Sequence, residues 1–224
     1  MLSPKLIIFD LDGVLANTEH FYAFAMSKAL QEQGFTKYTT EYYEQHFAGL
    51  AATLILEKVA KETGKEVDQE KLDSVIKELY LDFEKHIFIT PGAEEFIKSL
   101  KIPFCVASSS DLSQIKRTLT ALKLSKYFSH NSIFSCFSIN QFKPNPAIYK
   151  EALKKMGFKA EEAIAIEDSL PGVQAASNAD VAVIGFTGAD YLKSRKEKHA
   201  ELLLSNGAFA VKDNFAEIKK LITN

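Results

Sequence analysis

The sequence predicts an α/β protein, a parallel sheet flanked by helices and interrupted near its start by an inserted module of four helices. Three observations predict it. Short, continuously apolar runs, each of strand length and suited to burial on both faces, recur along most of the chain and alternate with helical stretches. That rhythm disappears between Glu19 and about Phe88, where only long helical patterns occur. The length, 224 residues, exceeds a common domain of about 150 residues and accommodates a core carrying an insertion.

The first strand is Leu6-Ile7-Ile8-Phe9, apolar throughout, and it ends on Asp10-Leu11-Asp12-Gly13. The helical module follows at 19–33, 40–47, 50–62 and 68–85, punctuated by Gly34, Gly49 and Gly64. Thr90-Pro91-Gly92 marks the return to alternation, with a helix at 93–100 leading into a strand at 104–107. Asp111 is placed to cap a helix running to about Leu124, and further strands are expected at 133–136, 163–166, 181–184 and 209–211. Pro146 suits the first position of a helix at 147–156, and Pro171-Gly172 opens another running to Ala179. Residues 1–16 and 89–224 are therefore expected to form the core and residues 17–88 the insertion. The basic run 193–199, broken by Glu197 and followed by three leucines, reads as a solvated helix face.

Composition narrows the functional classes. There are 27 Lys and Arg against 29 Asp and Glu, a net charge of -2, which supplies no attraction toward nucleic acid or an anionic membrane. A hydrophobic content of 46% with 17 Phe and 8 Tyr is ample for a buried core and excludes disorder as the main state. Cys105 and Cys136 form no CxxC motif and no disulfide framework, so two buried thiols are expected. The apolar start is cut at Asp10, too early for a signal segment, and no stretch of about 18 apolar residues occurs. These features predict a soluble, cytoplasmic protein.

Four polar clusters follow predicted strands. Asp10 and Asp12 flank one residue where period-two geometry points both carboxylates into the crevice at the strand's carboxyl end. Two acids so placed repel each other, which implies a hard divalent ion, an acid/base partnership, or both. Ser108-Ser109-Ser110 offers hydroxyls and backbone N–H groups suited to a phosphate. Lys143, followed by Pro144-Asn145-Pro146, sits on stiffened backbone and can neutralise a carboxylate and developing phosphoryl charge. Glu167-Asp168 at the end of Ile164-Ala165-Ile166 would complete an oxygen-rich site for Mg²⁺.

Phe9-Asp10-Leu11-Asp12-Gly13-Val14-Leu15, Val106-Ala107-Ser108, Lys143-Pro144 and Glu167-Asp168-Ser169, in this order over nearly the whole chain, resemble the four motifs of the haloacid dehalogenase-like phosphohydrolases. Within that superfamily the chain resembles the branch of β-phosphoglucomutase, phosphoglycolate phosphatase and the bacterial sugar phosphatases, and the stretch 139–146 is similar to the 6-phosphogluconate phosphatase type. The resemblance implies a Rossmann-like core with a four-helix cap. It implies Asp10 as the nucleophile that forms an aspartyl-phosphate, and Asp12 as general acid and then base. Ser108 and the Ser109 backbone would hold the phosphoryl group, with Lys143 orienting it and Asp10. Mg²⁺ would bind Asp10, the Asp12 main-chain carbonyl and Asp168, with Glu167 direct or through water.

The chain departs from that pattern at Asn17, at His20, where proline is frequent, and at Phe142 and Asp180, where glycine is frequent. The cap loop reads His46-Phe47-Ala48-Gly49-Leu50, with Gly49 expected at the substrate, and residues 17–88 hold eight Lys, no Arg and thirteen acids. A second phosphate would lack a bidentate clamp there, which favours hydrolysis over intramolecular transfer. It also disfavours a substrate with an anionic far end, unless His46 or a cap lysine serves it. The expected activity is Mg²⁺-dependent hydrolysis of small phosphorylated metabolites, sugar or polyol phosphates, by a monomer. The alternatives are a sugar phosphomutase and a non-catalytic binder of a phosphometabolite.

Overall fold

The computed structural model describes residues 3–222. Its core strands are β1 (Leu6–Phe9), β4 (Phe104–Ser108), β5 (Ile133–Ser135), β6 (Ala163–Glu167), β7 (Ala182–Phe186) and β8 (Ala208–Lys212), with a short pair β2 (Ala16–Asn17) and β3 (Phe88–Ile89). The helices are α1 (Glu19–Gln31), α2 (Thr40–His46), α3 (Ala52–Thr63), α4 (Gln69–Leu79), α5 (Ala93–Ser99), α6 (Leu112–Ala121), α7 (Cys136–Ile139), α8 (Ala147–Met156), α9 (Leu170–Ser177), α10 (Lys196–Leu204) and α11 (Phe215–Ile222).

The six core strands are all parallel in the order β5-β4-β1-β6-β7-β8. Alternation along β1 explains why its sequence is apolar without a break. Ile7 and Phe9 enter one buried cluster with Phe96 of α5 and Ile218 of α11, whereas Leu6 and Ile8 enter another with Ile148 of α8 and Val173 of α9. Phe9 is level with Val106 on one side and Ile166 on the other, so the chain leaves β1, β4 and β6 at one edge of the sheet. Strand order reverses beside β1, the place where open α/β sheets form a crevice.

The chain enters and leaves the helical segment through β2 and β3, which pair antiparallel with Ala16 opposite Ile89. α1 to α4 lie between them and bury their own apolar cluster, including Met26, Leu30, Phe47, Ile55, Val59 and Leu72. His20 is exposed, and its Nδ1 lies 2.8 Å from Glu44 Oε1 on α2.

Several expected boundaries move for identifiable reasons. α3 begins at Ala52, because Gly49 has a φ of 78° and Ala51 is extended. α4 ends at Leu79 and tightens into a 3₁₀ turn over Tyr80–Lys85, where Arg117 Nη2 donates to the Tyr80 carbonyl at 2.6 Å. Cys136 starts α7 rather than ending β5, since the Ser135 hydroxyl accepts from the Phe137 N–H at 3.2 Å. α6 is capped by Asp111 and stops at Ala121, followed by Lys123 at a φ of 58°. Asp180, where the resemblance leads to an expectation of glycine, has a φ of 59°, a region that favours glycine and that Asp tolerates better than most residues.

The run 193–199 needs a larger correction. Its helix starts only at Lys196, and two members turn inward: Arg195 donates to the Glu44 carbonyl of α2, and His199 is buried with Nε2 2.5 Å from the Asp168 carbonyl. Carbonyls left open at a helix end and after a strand attract such donors. Both cysteines are free and buried. Among the described residues no helix is long and apolar enough to cross a membrane.

Candidate active site

At the shared carboxyl edge of β1, β4 and β6, Lys143 is the hub. Its Nζ donates to Asp10 Oδ1 at 2.7 Å, to Glu167 Oε1 at 2.6 Å and to the Ala107 carbonyl at 2.9 Å, which engages all three ammonium protons. Only 2% of Lys143 is exposed. Burial alone would lower its pKa, but Asp10 and Glu167 outweigh that and hold it well above the ordinary lysine value.

Asp10 and Asp12 both border one chamber of about 280 Å³, but not by strand alternation as the spacing suggested. β1 ends at Phe9, and a tight turn presents the pair, with the Leu15 and Ala16 N–H groups both donating to the Leu11 carbonyl at 2.9 Å. Gly13 in that turn has a φ of 82°, and a Cβ there would overlap the Asp168 carboxylate. Burial, then the charge of Glu167, pushes the Asp10 carboxyl up to about 8 against the opposing pull of Lys143.

Asp12 is held by three hydroxyls, Thr18 Oγ1 at 2.6 Å, Ser110 Oγ at 2.9 Å and Ser108 Oγ at 3.3 Å. Ser108 itself is fully buried and accepts from the Ser110 N–H at 3.0 Å, so it braces Asp12 from behind, while Ser109 and Ser110 border the chamber. Gly49 reaches the chamber from the cap loop, and its carbonyl accepts from Ser109 Oγ at 3.3 Å. A Cβ on Gly49, whose φ is 78°, would overlap the Ser169 side chain.

Asp168 and Glu167 complete the group. Asp168 Oδ2 accepts from the Tyr191 hydroxyl at 2.6 Å, while its Oδ1 is buried without a partner. Burial, then the charge of Asp10, raises its carboxyl well above the usual range. Asp10, Glu167 and Asp168 each bring a carboxylate oxygen within 4.8 Å of the others. Clustered hard oxygens with one left unsatisfied are the donor set that suits Mg²⁺, so the residues present fit that ion. Glu167 Oε1 accepts from Lys143 and the Tyr149 hydroxyl, and Oε2 accepts from the Ser169 hydroxyl at 3.4 Å.

The chamber roof comes from the helical segment and includes Tyr22, Tyr43, Leu72 and Tyr80. Among the described residues that border the chamber, Lys143 is the one basic group. His46, considered for an anionic far end, instead borders an outer cleft of about 890 Å³ together with Lys58, Lys61, Arg195 and Lys198. Sequence reasoning missed Thr18, Tyr149, Tyr191 and His199, and it placed Ser110 in the serine run without its bond to Asp12.

The family model for the haloacid dehalogenase-like hydrolases matches residues 7–186, which include Asp10, Asp12, Ser108, Lys143, Glu167 and Asp168. The chain belongs to the haloacid dehalogenase-like hydrolases. It is 27% identical over 183 residues to the 6-phosphogluconate phosphatase of Escherichia coli K12, covering 81% of this chain and 82% of that one. It is 29% identical over 184 residues to a phosphorylated carbohydrates phosphatase of Thermotoga maritima, covering 79% and 82%. A crystal structure of a haloacid dehalogenase-like protein of unknown function from Agrobacterium tumefaciens matches with a TM-score of 0.83 at 30% identity, covering 98% of both chains. The chain is thus an enzyme of the phosphatase class within this family of α/β hydrolases.

Proposed function

We propose that this hydrolase is a Mg²⁺-dependent phosphomonoesterase that acts on small sugar or polyol phosphates through an aspartyl-phosphate on Asp10. The observation that carries the reading is the buried Asp10–Lys143–Glu167 linkage beside an Asp168 oxygen without a partner. Mg²⁺ held by Asp10, Asp168 and the Asp12 carbonyl, with Glu167 direct or through water, would neutralise charge on the phosphoryl oxygens.

Asp10 attacks phosphorus as its carboxylate, aligned by Lys143, and the bond to the leaving oxygen breaks. Asp12, held by Thr18 and Ser110, donates a proton to that oxygen and frees the alcohol. Deprotonated Asp12 then takes a proton from water, whose oxygen attacks phosphorus, releasing inorganic phosphate and restoring Asp10. Ser109 and Ser110 line the phosphoryl pocket, and residues 17–88 act as the cap that excludes bulk water. The names of the relatives support phosphorylated carbohydrates as the substrate class. A chamber with Lys143 as its basic group favours hydrolysis of a monophosphate over transfer between two phosphate positions, and it disfavours 6-phosphogluconate itself.

Phosphate release from a panel of monophosphates, with Mg²⁺ and with EDTA, tests the reading. Turnover is expected only with Mg²⁺, and Asp10→Asn is expected to lower kcat by about 10³-fold or more. Full activity in EDTA or in Asp10→Asn would refute the mechanism.

A further inference from the structure

Glu19 borders the same chamber yet has no part in that chemistry. It is the first residue of α1, directly after the Thr18 that holds Asp12, and only 6% of it is exposed. Its Oε2 is buried without a partner. Lys143 is already engaged by three acceptors, and Glu19 stands outside the acids grouped closely enough to hold an ion. Among the described residues nothing therefore answers this oxygen, and a buried polar group without a partner is costly enough to require an explanation.

The surroundings define what would answer it. Burial, then the charges of Asp12 and Asp10, raises its carboxyl well above the usual range, while the Gly49 amide pulls the other way. A carboxyl oxygen without a partner can accept a hydrogen bond from a sugar hydroxyl. Tyr22, Tyr43 and Tyr80 on the roof add hydroxyls, and Asp73 and Asp111 on the chamber's border repel an anion.

We propose that Glu19 is the residue that selects the substrate's carbon skeleton, hydrogen-bonding a hydroxyl of a polyhydroxylated monophosphate whose far end is uncharged. This rests on the phosphomonoesterase reading and narrows it. Sites built to bond a hydroxyl discriminate strongly against analogues that lack it, so Glu19 sets preference among phosphate esters.

The test compares wild type, Glu19→Gln and Glu19→Ala on sorbitol 6-phosphate, ribose 5-phosphate, p-nitrophenyl phosphate, gluconate 6-phosphate and glucosamine 6-phosphate. In Glu19→Ala, kcat/KM is expected to fall at least tenfold further for the better of the two uncharged polyhydroxylated substrates than for p-nitrophenyl phosphate. Glu19→Gln, which keeps the hydrogen bond, is expected to recover most of that difference. Equal losses on both kinds of ester would assign Glu19 a purely structural role and overturn the proposal. So would a Gln variant as impaired as Ala, or a wild-type preference of tenfold or more for gluconate 6-phosphate or glucosamine 6-phosphate. Absence of phosphate release from every ester, p-nitrophenyl phosphate included, would refute the phosphomonoesterase reading itself.

Discussion

At Asp10, burial and the nearby Glu167 carboxylate work against the Lys143 ammonium, and the first two prevail, placing the carboxyl at about 8 without metal. The folded state then retains a proton that the unfolded chain releases near 3.8. Its stabilising contribution is full below that value and is lost as pH rises through about 8. In EDTA, the unfolding free energy of wild type is expected to decline between pH 5 and 9 more steeply than that of Asp10→Asn, as urea titrations would read. Parallel curves would show that Asp10 carries no such linkage. A second residue test concerns Tyr149, whose hydroxyl donates to Glu167. Tyr149→Phe removes a bond to a charged acceptor and is expected to cost about 1.5–3 kcal/mol of stability by chemical denaturation. An unchanged midpoint would sink it. Asp10, Ser108, Glu167 and Asp168 were legible in the chain because each ends or directly follows an apolar strand, and Lys143 because prolines stiffen the backbone after it. Tyr149, Tyr191 and His199 were not, because they arrive from elements whose rotation about their own axes depends on packing.

Among the described residues, three non-glycine positions adopt left-handed backbone, and besides Asn140 at the end of α7 two of them lie in turns after longer helices. Lys123 follows α6 at a φ of 58°, and Asp180 follows α9 at 59°. A side chain there costs about 1–2 kcal/mol, less for Asp than for Lys, whereas glycine loses about 0.5–1 kcal/mol of chain entropy on folding. Lys123→Gly is therefore expected to stabilise by about 1 kcal/mol and Asp180→Gly by less, read as higher urea midpoints at unchanged slope. A lower midpoint for Lys123→Gly would contradict this. The six core strands were readable to within two residues, since unbroken apolarity marks them, whereas the two-residue β2 and β3 are too short to leave such a mark. Helix ends were harder, because the Tyr80–Lys85 turn depends on Arg117, distant in sequence. The basic run at 193–199 misled for a related cause. Local charge predicts exposure, yet Arg195 meets a partly buried carbonyl and His199 a buried one.

For the molecule as a whole, the clustered carboxyl groups of Asp10, Glu167 and Asp168 give the folded state a site that a divalent cation would stabilise. Mg²⁺ at about 100 times its dissociation constant stabilises a protein by about 2.7 kcal/mol if it binds only the folded form. For a chain of this size that corresponds to about 5–10 °C in Tm. Calorimetry with and without Mg²⁺ is expected to show the shift in wild type, with Asp168→Asn losing most of it. An equal shift in the variant would place the ion elsewhere.

The antiparallel pairing of Ala16 with Ile89 brings the start and end of the helical segment side by side. Whatever lies between them enters and exits the core at a single doorway. A cassette mounted this way can be traded for one of different length at little extra closure entropy, since that cost grows only with the logarithm of length. Recognition can thus diversify in the removable part while the reacting groups at the sheet edge stay untouched.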